Sequence, residues 1–292
     1  MYIKLSMPGS CRVARLSAVS CAGLIVASVM FAAAPLRAAN YTWVVPSGDW
    51  SIASNWGGTL PTGSGTAYVV NGGTASVSQI GEVCNILSLG SSAGSGTVQM
   101  TGGGLSVTFF ENVGDSGTGA FMQSGGTNSI NNGLYVGNAA GSSGTYSLSG
   151  SSLLWAPGEY VGNSGTGTFT QSDGVNTCSN TLTLGSGTGA SGTYNLIGSS
   201  QLSTSFEYVG YSGTGAFTQS GGTNSCSSLS GLYLGYSTGS SGSYSLSGSG
   251  QVSAVNMSVG SYGTGTFTQT GGTNSINNNL YLSTDRKITS LV

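Results

Sequence analysis

A Val-Gly or Leu-Gly dipeptide closes successive stretches of this chain at Gly90, Gly114, Gly137, Gly162, Gly185, Gly210, Gly235 and Gly260, with gaps of 24, 23, 25, 23, 25, 25 and 25 residues. No other feature restricts the fold as strongly. A unit of that length cannot bury a core alone, so it must stack on copies of itself. Every second unit carries one phrase: SGTGAFMQSGGTNS from Ser116, SGTGTFTQSDGVNT from Ser164, SGTGAFTQSGGTNS from Ser212 and YGTGTFTQTGGTNS from Tyr262. The units between carry SGTYSLSGSS from Ser143, SGTYNLIGSS from Ser191 and SGSYSLSGSG from Ser241.

Alignment of the two variants places Phe121, Tyr146, Phe169, Tyr194, Phe217, Tyr244 and Phe267 at one equivalent position. A solenoid requires this, because each coil sets the same side chain above its predecessor. No window has apolar residues at helical spacing over ten or more positions, and Gly, Ser and Thr are poor helix formers. Short runs such as AFTQ, TNSC and LYLG, separated by glycine-rich corners, predict three short strands per coil. The expected fold class is all-β: a single parallel β-helix of about eight coils, roughly 38 Å long at about 4.8 Å per coil. Inside it, Leu148, Leu196 and Leu246 alternate with Gln123, Gln171, Gln219 and Gln269. Buried glutamines must hydrogen-bond along the stack or at the corner backbone, and the sequence leaves both options open.

The expected organisation is a signal peptide over 1–39, a cap segment over 40–75, repeats over 76–283 and an irregular tail over 284–292. Lys4, Arg12 and Arg15 precede the largely apolar run Leu16 to Ala34, with small residues at Ala38 and Ala39, the layout of a secretory signal. The segment YTWVVPSGDWSIASNW supplies Trp43, Trp50 and Trp56, large rings able to cover an open first coil. The TW, GDW and SNW series, followed by a proline and later by GTFTQ, GGTNS and LYLG units, resembles secreted bacterial proteins with autotransporter-associated β-strand repeats, including relatives with PEP-CTERM-type sorting tails. The resemblance covers nearly all of 40–282 and implies a β-solenoid outside the cell or at its surface. Neither a C-terminal β-barrel nor a Pro-Glu-Pro tail follows, and the repeat stops mid-coil at Ser283, which reads as a truncated gene or fragment. A C-terminal anchor beyond it would make the protein outer-membrane associated.

Charge narrows the function. Of 292 residues, 6 are Lys or Arg and 8 are Asp or Glu. Lys4, Arg12, Arg15 and Arg37 leave with the signal, so two cations remain against eight carboxylates, a formal charge of minus six. No Lys, Arg or His stands between Ala38 and Asp285, so phosphate counterions have no replacement and nucleic acid is an unsuitable partner. No second apolar run follows the signal, and no transmembrane segment is expected in the mature chain. Cys84, Cys178 and Cys226 have no CxxC spacing and suggest neither zinc nor a redox pair. Cys178 and Cys226 align with Ile130 and Ile276 and read as small apolar fillers.

Few residues offer chemistry. Glu159 and Glu207 precede Tyr-Val-Gly two coils apart, about 9.6 Å of rise, near the carboxylate spacing of inverting glycosidases. The coil between offers only Leu182, so the pair reads as an exposed product of repeat copying. Asp115 and Asp173 are isolated and lack calcium-loop spacing. The glycine-rich text has no Walker lysine. Thr145, Ser147, Thr168, Thr170, Thr193, Asn195, Ser243, Ser245, Thr266 and Thr268 are expected to face outward in two rows, as in ice-binding solenoids, although Ala120, Met122 and Ala216 interrupt them. No catalytic, metal or cofactor residue is expected. The leading expectation is a non-catalytic structural or adhesive rod whose partner is extracellular polysaccharide, matrix or another copy. Polysaccharide binding or degradation and ice binding are the alternatives.

Overall fold

The computed structural model describes residues 39–229 and 231–283, so the readings for the signal segment and the tail lie outside the described residues. Every strand pairing in it is parallel, and partners lie one coil apart, the topology of a parallel β-solenoid. One sheet has 10 strands, from Ser47–Asp49 and Asn71–Val77 through Thr118–Gln123, Ser143–Leu148 and Thr166–Gln171 to Thr264–Gln269. The other has 13 strands in 11 coils, because two coils contribute a pair of short strands, Thr127–Ile130 with Gly133–Val136 and Thr223–Cys226 with Leu232–Leu234. Elsewhere the pair fuses into one long strand bent at a register shift, as between Cys178 and Thr181. The three runs expected per coil are thus one flat strand and two halves of a bent one.

The coil count is about 11, not eight. Eight followed from counting only units that end in Val-Gly or Leu-Gly. The strands Asn40–Thr42, Ser47–Asp49, Thr66–Val69 and Asn71–Val77 lie in register with the same two sheets, so 40–75 already winds as coils despite its different wording. Eleven strands at about 4.8 Å make a stack roughly 50 Å long. Trp43, Trp50 and Trp56 pack together near its N-terminal end, with ring centroids 5.0 Å apart for Trp43 and Trp56 and 4.6 Å for Trp50 and Trp56. All three rings belong to the core, and Trp56 Nε1 donates to the Trp50 carbonyl at 2.9 Å.

The seven predicted aromatics form one interior ladder. Phe121, Tyr146, Phe169, Tyr194, Phe217 and Tyr244 stack at 4.6 to 5.0 Å with ring planes within 6° of parallel, and Phe267 follows at 5.5 Å. Strand spacing imposes this distance, which lies within the favourable range for offset rings. Glycine makes the turns possible. Gly162 sits at φ +70°, open to glycine at little strain, and a Cβ on Gly167 would collide with Gly162 N and Val136 O. The coil between Phe217 and Gly235 carries two more residues than its neighbours, which have sixteen from ring to closing glycine, and its strand is split there.

Candidate functional site

Glu159 and Glu207, the carboxylates with glycosidase-like spacing, are inside the solenoid. In the bent sheet, Glu111, Leu134, Glu159, Leu182, Glu207, Leu232 and Met257 succeed one another in register. Glu111, Glu159 and Glu207 are each 0% exposed, which corrects the exposed reading of Glu159 and Glu207. A second inward column runs Asn128, Leu154, Asn176, Leu202, Asn224, Val252. Polar and apolar coils alternate in both, and the polar members find each other across coils.

Three copies of one hydrogen-bonded relay result. Asn128 Nδ2 donates to Glu111 Oε2 at 3.0 Å and to Tyr146 Oη at 3.1 Å, and Tyr146 Oη donates to Gln123 Oε1 at 2.8 Å. Asn176 joins Glu159 and Tyr194 at 3.0 and 3.1 Å, with Tyr194 donating to Gln171 at 2.7 Å. Asn224, Glu207, Tyr244 and Gln219 repeat the pattern. The direction of donation is determined at the glutamine. Gln171 Nε2 donates to the carbonyls of Gly174 and Gln201, so its Oε1 must accept from the tyrosine, whose oxygen in turn accepts from asparagine. The corner backbone therefore satisfies the glutamine amides, the second of the two options.

Burial pushes Glu111 up to about 8 and Glu159 and Glu207 up to about 7, opposed in each case by the asparagine hydrogen bond. Glu111 Oε1 and Glu159 Oε1 have no partner, whereas Glu207 Oε1 accepts from Thr204 Oγ1 at 3.0 Å. A proton on the carboxyl converts such an orphan from a second buried acceptor into a donor and removes an uncompensated buried charge. All three acids are fully buried between the two sheets, and their hydrogen-bond partners are interior side chains.

The remaining candidates are surface or filler residues. Asp115 accepts from Ser88 Oγ and Asn138 Nδ2 at 2.9 and 3.1 Å, and Asp173 from the Ser199 amide at 3.4 Å. No cluster able to hold a metal occurs among the described residues. Cys84, Cys178 and Cys226 are buried free thiols, and Cys178 and Cys226 lie two coils apart, separated by Thr204. Among the described residues no helix is long and apolar enough to cross a membrane.

Outside, two patterned surfaces stand out. The flat sheet turns its Thr and Ser rows outward, as expected, and Thr145 and Thr168 pair in register with Ala120 and Thr193. A third row, unnoticed in the sequence, is unbroken: Ser95, Thr118, Ser143, Thr166, Ser191, Thr214, Ser241 and Thr264. The bent sheet carries an outer tyrosine wall. Tyr135 and Tyr160 stack at 4.9 Å, Tyr208 and Tyr233 at 5.2 Å, and Tyr211 and Tyr236 at 5.1 Å. Comparison with protein families, with curated proteins and with solved structures finds no match.

Sequence reasoning missed Glu111, the asparagines and the tyrosine wall. A legible trace existed. Glutamate and its asparagine are always 17 residues apart, and the tyrosines all precede a Val-Gly or Leu-Gly closure or follow its glycine.

Proposed function

We propose that this chain is a secreted or cell-surface structural and adhesive rod without catalytic activity. One observation carries the reading: the acids that the repeat aligns are consumed by interior hydrogen bonds, while the outside offers long rows of hydroxyls and phenols with few charges. General acid and base chemistry needs a titratable group within reach of substrate, and the buried relay is not. A repeated, nearly chargeless surface instead gives many equal, weak contacts, suited to polyvalent attachment to polysaccharide or matrix or to self-association. The layout of residues 1–39 and the resemblance to autotransporter-type repeats support an extracellular location.

Two measurements test the reading. Protease added to intact producing cells should degrade the chain, and a panel of acidic and neutral polysaccharides should yield neither new reducing ends nor unsaturated products. A chain protected until lysis refutes the location, and turnover lost in Glu159→Gln refutes the absence of catalysis. Ice binding is the weaker reading because Ala120, Met122 and Ala216 interrupt two of the three outward rows.

A further inference from the structure

The tyrosine wall has a gap one coil wide. In the outward column, Tyr135 and Tyr160 are followed by Thr183 and then by Tyr208 and Tyr233, all in register. The same coil interrupts the corner column beside it. There Asn163 Nδ2 donates to Asn138 Oδ1, Asn138 Nδ2 donates to Asp115, and two coils beyond Asn163 the stack of Tyr211 on Tyr236 begins. Between them stands Ser186, whose buried Oγ has no hydrogen-bond partner. Thr183 and Ser186 thus leave a notch of 340 Å³, lined by Tyr160, Thr181, Thr183, Ser186, Tyr208 and Tyr211.

We propose that this notch binds one pyranose ring of a neutral polysaccharide. The inference rests on the non-catalytic surface reading above and gives that surface a ligand class. Tyr160 and Tyr208 are two strand spacings apart, about 9.6 Å, so a ring placed between them lies about 4.8 Å from each, within the range of ring contacts. One face of each tyrosine is covered by Tyr135 or Tyr233, at interplanar angles of 9° and 14°, and the other face looks into the gap. A pyranose chair carries C–H bonds on both faces and so can meet both open tyrosine faces at once. Tyr211 stands edge-on to Tyr208 at 87° and closes one side. The floor offers hydroxyls from Thr181 and Thr183, groups that donate to and accept from sugar hydroxyls, and beside them lies Ser186, whose buried Oγ has no partner within the fold. No charged residue lines the notch, which favours a neutral glycan over a uronate.

Saturation-transfer NMR on the full chain, with cellohexaose, laminarihexaose, maltohexaose and chitohexaose as separate probes, tests this. Transfer to ring protons of at least one probe is expected. Tyr160→Ala or Tyr208→Ala should weaken that probe about tenfold. Thr183→Tyr, which supplies the missing rung and completes the ladder, should abolish binding without lowering the thermal midpoint. Absence of transfer to all four probes overturns the proposal, as does binding that survives Thr183→Tyr. If Thr183→Tyr instead abolishes concentration-dependent self-association in sedimentation, the occupant is another copy and the glycan assignment is wrong. Surface exposure on cells that persists alongside glycan failure leaves the adhesive reading standing.

Discussion

Stability should fall as pH rises from about 4.5 to 8, because the three relay carboxyls are protonated in the folded chain at pH values where the unfolded chain has already ionised. The ordinary value for these acids is 4.5, and burial raises Glu159 to about 7. A folded value above the unfolded one means that the contribution is complete below 4.5, declines through the interval and is gone above the folded value. Two and a half pH units correspond to about 3 kcal/mol for Glu159 at pH 8. Glu207 adds a term of the same size, and Glu111, raised to about 8, a larger one. Groups facing Glu159 are Asn176, the phenol of Tyr194 and the thiol of Cys178, with Glu111 and Glu207 two coils away on either side. Glu82 is also raised by burial and acts in the same direction, whereas Asp49 is lowered and acts only below about pH 4. Glu159→Gln keeps the shape, retains an acceptor for Asn176 Nδ2 and never ionises. Urea midpoints at pH 4.5, 6, 7 and 8 should show the variant equal to the parent at 4.5 and more stable at 8 by up to about 3 kcal/mol. A parent whose midpoint is flat over this range, or a Glu159 carbon resonance that titrates near 4.5, refutes the buried neutral acid.

Other perturbations have equally definite outcomes. Tyr194→Phe keeps the ring in the ladder but leaves one of the two Asn176 Nδ2 hydrogens and Gln171 Oε1 without a partner, so chemical denaturation should show a loss of about 1–3 kcal/mol. Gly167→Ala forces a Cβ against Gly162 N and Val136 O, and circular dichroism melting should place its midpoint well below that of the parent. The three thiols are buried, and burial pushes Cys226 up to about 12, so a thiol reagent should label none of them until urea opens the coils. Freezing-point measurements should show no thermal hysteresis, and hysteresis removed by replacing Thr168 and Thr170 would restore the ice-binding reading.

The period, the parallel strands and the aromatic ladder were legible because each depends on a residue type recurring at a constant offset. Glu159 was misplaced for a different reason. Alternation along Glu159-Tyr160-Val161 puts the acid on the face of Val161, and Leu134 holds the same rung one coil earlier, so the pattern pointed inward. Leu182, the residue in the coil between the two glutamates, argued the other way, because it offers no polar partner to offset the cost of a buried charge. What reverses that cost is a partner 17 residues on and a tyrosine 18 residues beyond that, in other coils, which local reading does not bring together. The first coils escaped notice because they replace the Val-Gly closure with other text while keeping the register.

The relay also explains why one phrase recurs at every second unit. A glutamate in one coil, an asparagine and glutamine in the next and a tyrosine in the third form one closed set of hydrogen bonds. If every coil carried the phrase, Phe would replace Tyr throughout, and the asparagine amide and glutamine oxygen would each lose their shared partner. If every coil carried the variant, the tyrosines would have no glutamine to receive their protons, and each glutamate would face another at about 4.8 Å with no amide between them. Alternation places an apolar leucine between successive acids at Leu134 and Leu182, which spaces them by two strands and insulates each one. The repeating unit of the interior is therefore a pair of coils. The thermodynamic test is that Tyr146→Phe and Asn128→Leu couple strongly in a double-mutant cycle, whereas Tyr146→Phe and Asn176→Leu, which belong to different relays, add independently.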